Sequence, residues 1–262
     1  MKIGMSSACF YPLETEKSLE LIGRAGAKTA ELFFNAPSEL KKPFLNELVS
    51  IKDNYSMNIT SVHPFMSFGE GFYIFSSYRR RFEDSLDMYS RFFEAAAFLG
   101  AKLFVLHGSK EPALARTEYA QRLFELNGRA KEFGIQIAHE NVVHYVGQRP
   151  EFMFYLKEQL GDDFKMTLDV KQARRSNEDP FEFIRLMGDS IVHVHVSDST
   201  RNLDCLPPGK GRFNFERLFA ELERIGYSGK YIIELYKHNF SGIEDLTESQ
   251  EYLSGLLGKY SD

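Results

Sequence analysis

Six side chains able to bind a metal or carry a proton stand at or near the ends of short β-rich runs. NITSVH ends in His63, KLFVLH in His107, IQIAHE in Glu140 and KMTLD in Asp169, while IVHVHV carries His195 and YIIELY carries Glu234. In a strand, alternate residues point to opposite faces. In 191–196 the valines share one face and His193 and His195 the other. Ile233 and Leu235 oppose Glu234 in the same way, and Met166 and Leu168 oppose Thr167 and Asp169. The apolar faces suit an outer packing layer, so the polar faces are expected to converge. Three buried carboxylates without a counter-charge would be costly to desolvate and would raise one another's pKa. Glu140, Asp169 and Glu234 therefore call for a cation, with His195 as a neutral fourth ligand. That donor set suits a divalent ion such as Mn²⁺, Zn²⁺, Co²⁺, Fe²⁺ or Mg²⁺ better than Ca²⁺.

The elements that must position these residues alternate along the chain. Strands are expected at 2–6, 29–34, 58–63, 102–107, 135–140, 165–169, 191–196 and 231–236, separated by amphipathic helical stretches. Gly26, Gly100, Gly134 and Gly226 follow helical segments as C-terminal stops, and a last helix is expected near 244–258. Strands joined through helices pair in parallel, and eight such units fit a closed (β/α)₈ barrel, one α/β domain over 1–262. Active sites of that architecture lie at the C-terminal ends of the strands. The six residues above stand there.

Composition narrows the function. Hydrophobic residues are 43% of the chain, the net charge is −5 and the pI about 5.9. A chain of this charge lacks the basic footprint of a nucleic-acid binder. Two cysteines, Cys9 and Cys205, make no disulfide framework. No apolar run reaches membrane-spanning length and the first residues read as a strand, so a soluble cytoplasmic protein is expected, with homo-oligomerisation left open. His139 should point away from Glu140 and be structural; His193, one layer below His195, either orients it or packs; His144 and His238 belong to loops. YRRRFED (78–84) reads as a solvated helix start, and MSFGEGFYIFSS (66–77) as a loop over one face whose Phe68, Phe72, Tyr73 and Phe75 could cover a bound molecule or form an oligomer contact. PPGKGRF (207–213) marks a turn in which Lys210 and Arg212 could assist phosphate binding.

IAHEN, TLDVKQ, HVHVSDSTR, PPGKGRFNF and YIIELY together resemble the xylose-isomerase-like TIM-barrel superfamily, which holds sugar and sugar-phosphate isomerases and epimerases along with endonuclease IV. The resemblance implies that Glu140, Asp169, His195 and Glu234 bind the catalytic metal. Among ketose 3-epimerases it further implies a substrate contact at Arg201, followed by the Pro207-Pro208-Gly209 turn. SVHPF and VLHG resemble endonuclease IV positions that bind another metal, implying a possible second ion at His63, His107 and Glu140. The third-metal histidine of that enzyme is replaced by Gln172, and its D-x-H pair is absent from LDCLPPG. A trinuclear DNA-repair site is not expected.

What the resemblance implies is metal-assisted proton transfer on an open-chain sugar or sugar phosphate through a cis-enediolate. Glu140 and Glu234 would move the proton. His63, His107, Lys171, Gln172 and Arg201 are the candidate substrate contacts, with Lys171 a possible proton carrier. Three alternatives stay open: a metal-dependent phosphodiesterase of the endonuclease IV kind, a dehydratase of the inosose dehydratase kind, and a non-catalytic sugar-binding barrel.

Overall fold

The computed structural model describes residues 2–110 and 114–260. Its strands are β1 (Ile3–Ser6), β2 (Thr29–Phe33), β3 (Asn58–His63), β4 (Leu103–Leu106), β5 (Gln136–Glu140), β6 (Met166–Asp169), β7 (Ile191–Val196) and β8 (Lys230–Ile233). They pair in parallel in sequence order, and β8 closes on β1 through Ile3 opposite Tyr231 and Met5 opposite Ile233. The expected (β/α)₈ barrel is the observed fold. The helices between the strands are α1 (Thr15–Arg24), α2 (Lys42–Asn54), α3 (Glu70–Tyr73), α4 (Arg79–Leu99), α5 (Arg116–Lys131), α6 (Pro150–Leu160), α7 (Val170–Arg175), α8 (Pro180–Met187) and α9 (Phe215–Arg224), and α10 (Ile243–Leu257) follows β8. No helix among the described residues is long and apolar enough to cross a membrane.

Apolar residues at helical spacing explain how the outer layer packs. Phe82, Tyr89, Phe92, Phe93, Ala96 and Leu99 are the buried stripe of α4, and the rings of Tyr89, Phe92 and Phe93 meet Phe104 of β4 at 5.1 to 6.1 Å between centroids. Burying each such side chain contributes roughly 1.5–3 kcal/mol. Gly100 then ends the helix at φ 85°, and Gly26, Gly134 and Gly226 likewise take positive φ.

Three strands end earlier than the sequence pattern indicates, β2 by one residue at Phe33. β4 stops at Leu106 because Gly108 turns the chain at φ 87°, leaving His107 just beyond the strand. A Cβ at Gly108 would meet the Tyr119 hydroxyl at 2.3 Å, so the turn requires glycine. β8 stops at Ile233, yet the Glu234 N–H still donates to Val196 O at 3.3 Å and carries the ladder one residue further.

Asp198, 2% exposed, organises the loop after β7. Its carboxylate accepts the N–H groups of Ser199, Gly209, Gly211 and Phe213 at 2.7 to 2.9 Å. It is therefore a loop anchor, and the glycines of PPGKG let the backbone close around it. A Cβ on Gly211 would stand 2.3 Å from its Oδ1. Lys210 and Arg212 are exposed, and Lys210 donates to Glu248 of α10 at 2.7 Å. Asp198→Ala leaves four N–H groups without their acceptor and is expected to cost about 3 kcal/mol. Chemical denaturation checks this, and an unchanged midpoint would contradict the anchoring role.

Candidate functional site

Glu31, not among the residues expected at the site, lies at the centre of the barrel, fully buried. The register of β2 and β3 shifts between Ala30 and Glu31, which sets Glu31 opposite Ser61. Its Oε2 accepts a hydrogen bond from Ser61 Oγ at 2.8 Å and lies 2.8 Å from His193 Nε2 and 3.1 Å from His195 Nε2. Its Oε1 stands 3.4 Å from His63 Nε2. Burial pushes the Glu31 carboxyl up, but the charges of His195 and His63 and the hydrogen bonds from His193 and His195 hold it well below the usual carboxylate range. One carboxylate thus ties together three imidazoles from β3 and β7.

With Nε2 of His195 facing Glu31, its Nδ1 faces three carboxylates. Glu140 Oε1, Glu234 Oε2 and Asp169 Oδ2 lie 3.6, 3.6 and 3.8 Å from it. A register shift between Met166 and Thr167 pairs Asp169 with His195 across β6 and β7. Asp169 uses Oδ1 to cap α7, accepting Lys171 N at 2.7 Å and Gln172 N at 3.0 Å, and so aims Oδ2 inward. Asn141 exchanges hydrogen bonds with the Asp169 backbone at 2.7 and 3.0 Å, locking the end of β5 to that of β6. Past β8, Cys9 Sγ accepts Leu235 N and Cys205 Sγ accepts Tyr236 N, which fixes the segment bearing Glu234. Both thiols are free.

These four residues fit a metal ion. One donor atom from each of Glu140, Asp169, His195 and Glu234 lies within 4.8 Å of the others. Glu140 Oε2, Asp169 Oδ2 and His195 Nδ1 are buried without a hydrogen-bond partner. His63, His107 and Glu140 form an adjoining group on the same criterion, so the expected second cluster is also assembled. His107 Nε2 stands 3.0 Å from Glu140 Oε2 as a charge contact lacking hydrogen-bond geometry. Burial depresses the His107 imidazole, but Glu140 outweighs it and raises the pKa to about 9. The Glu140 carboxyl is pushed up by burial and held well below its ordinary value by His107 and His195.

Above this polar layer opens a cavity of about 540 Å³, lined by residues that include Phe33, Asn35, Phe68, His107, Glu140, Lys171, Gln172, Glu234 and Tyr236. The structure gathers most of the expected site here. Gln172 lines the cavity while accepting Val143 N at 3.2 Å. His63 is fully buried below the cavity and contacts Glu31 instead. Arg201, the implied substrate contact, is exposed on the loop after β7 and is not among the residues lining this cavity. Arg175 takes a place at the rim, donating to the Tyr236 hydroxyl at 2.7 Å. Lys210 and Arg212 also lie outside the cavity lining. From the 66–77 stretch Ser67 and Phe68 line the cavity; Phe72 packs under Arg81, and Phe75 stacks on Tyr119 at 3.7 Å. His139 bonds the Tyr119 hydroxyl at 2.7 Å, a structural role as expected. Glu70 of α3, also unforeseen, is fully buried and accepts Gly108 N at 2.5 Å, with burial raising its pKa to about 8.

Comparisons with known proteins agree with this architecture. A crystal structure of a D-tagatose 3-epimerase-like protein is 25% identical, covers 100% of both chains and has a TM-score of 0.80. A D-psicose 3-epimerase structure, 15% identical, covers 98% of this chain and all of its own at a TM-score of 0.81, a likeness of fold. An uncharacterized protein of Methanocaldococcus jannaschii is 29% identical over 98% of this chain and 100% of its own. The family model described as xylose isomerase-like TIM barrel matches residues 19–256, and the chain belongs to that family.

Proposed function

We propose that this protein is a divalent-metal-dependent isomerase or epimerase acting on a sugar. The observation that carries the reading is the direction of His195: its Nε2 is engaged by Glu31, and its Nδ1 is turned to Glu140, Asp169 and Glu234 at 3.6 to 3.8 Å. Those four residues would hold the ion, which when bound supplies Lewis-acid polarisation of a carbonyl and its neighbouring hydroxyl. Glu31 sets which imidazole nitrogen is free to act as a ligand, as outer carboxylates do for metal-binding histidines.

Glu140 and Glu234 reach the same cavity from β5 and β8 and can serve as the pair that moves the proton. One carboxylate takes the proton from the carbon beside the carbonyl and becomes the acid. The other, which must start protonated, delivers its proton to the opposite face of that carbon and ends ionised; delivery to the adjacent carbon also requires the neighbouring hydroxyl proton to pass to the former carbonyl oxygen. Phe33, Phe65, Phe68 and Tyr236 offer apolar walls to the C–H face of a sugar, while Asn35 and Gln172 offer polar groups to its hydroxyls. Lys171, a cation among the lining residues, is engaged with Glu234 at 2.8 Å.

Incubation of the Mn²⁺-loaded protein with a ketose and ketose-phosphate panel in D₂O, read by NMR, tests the proposal. Exchange of a carbon-bound proton next to the carbonyl is expected, and loss of water in its place would identify a dehydratase. No exchange, with metal-dependent cleavage of abasic DNA, would overturn the reading. Glu140→Gln and Glu234→Gln should each slow exchange by roughly 10²–10⁴-fold, the usual contribution of a positioned acid or base. Glu31→Gln should weaken Mn²⁺ binding by roughly 10–100-fold. Unchanged affinity in a folded Glu31→Gln variant would remove Glu31 from the account.

A further inference from the structure

Lys171, expected as a substrate contact, is 3% exposed and turned inward. Its ammonium donates to Glu234 Oε2 at 2.8 Å and stands 3.2 Å from Asp169 Oδ2. The Tyr236 ring lies 4.9 Å away on another side. The two carboxylate oxygens it touches are the same two that face His195 Nδ1 at 3.6 and 3.8 Å. A divalent ion in this cage would bind those oxygens at roughly 2.0–2.2 Å. A dication and an ammonium sharing both oxygens would repel each other strongly in a site this buried.

We infer that Lys171 is the resident cation of the carboxylate cage and competes with the divalent ion for Asp169 and Glu234. It rests on the proposed metal site and adds a control on how tightly that site binds. Without the ion, the ammonium keeps Asp169 and Glu234 from facing each other unpaired, which is costly at this burial. With the ion bound, the ammonium gives up those contacts and has the cavity on its open side, since Lys171 also lines it beside Gln172. The short α7 places it there: the Asp169 carboxylate that caps the helix through Oδ1 meets the lysine of its first turn through Oδ2.

The test is Mn²⁺ titration of the wild type, Lys171→Met and Lys171→Gln at one pH, with free Mn²⁺ followed by electron paramagnetic resonance. Melting temperatures with and without Mn²⁺ accompany it. Removing the competing charge is expected to tighten Mn²⁺ binding at least about tenfold. It should also lower the metal-free melting temperature and make Mn²⁺ more stabilising than in the wild type. The glutamine variant, which keeps a polar group in the cage, guards against a methionine variant that fails to fold. Wild-type binding left unchanged or weakened in both variants would overturn the inference while leaving the metal site standing. Binding by the variants alone would support the inference and overturn metal dependence of the natural chain. No binding by any of the three would overturn both.

Discussion

The governing constraint is the concentration of negative charge inside the barrel. Glu31, Glu140 and Asp169 are at most 1% exposed, and the Glu234 side chain is 14% exposed. Carboxylates this buried persist only with cations and donors close by, because desolvation costs each of them several kcal/mol. Here His63, His193 and His195 answer Glu31, His107 and His195 answer Glu140, and Lys171 answers Asp169 and Glu234. Burial drives the His195 imidazole down, but Glu31 and Glu234 raise it well above its ordinary range. A metal ion replacing the Nδ1 proton would relieve the same charge by another means.

Much of the scaffold serves that balance. Two register shifts align Glu31 with Ser61 and Asp169 with His195. Asn141 locks neighbouring strand ends, and the cysteine thiols hold the backbone on either side of the β8 exit. Each device works through the backbone, so the carboxylates are placed by the strands' own pairing. Sites carried on rigid elements hold their geometry more closely than sites carried on loops. The Asp198 knot serves a different purpose, holding the β7–α9 loop by four N–H groups.

The closed barrel and the converging ligand set were legible because strand alternation is strict. His193 and His195 against three valines, and Asp169 and Thr167 against Met166 and Leu168, leave one consistent inward face. Glu31 was not legible in the same way. A lone glutamate in a short apolar strand looks like many others, and only the meeting of β2, β3 and β7 reveals its three histidines. The signal available was parity, since Glu31 opposes Ala30 and Leu32. Lys171 was expected as a substrate contact, but its direct pairing with Asp169 and Glu234 depends on the turn of α7. For Arg201, motif spacing carries no information on how a loop folds. Here that loop leaves its side chain in solvent.

Anomalous diffraction at the manganese edge from crystals grown with Mn²⁺ decides whether these four residues hold the ion. A peak is expected bounded by Glu140, Asp169, Glu234 and Nδ1 of His195, with His195 Nε2 still on Glu31 and the Lys171 ammonium moved off Asp169 and Glu234. Full Mn²⁺ exposure with no peak among those four residues, or a peak that leaves His195 unligated, would contradict that assignment.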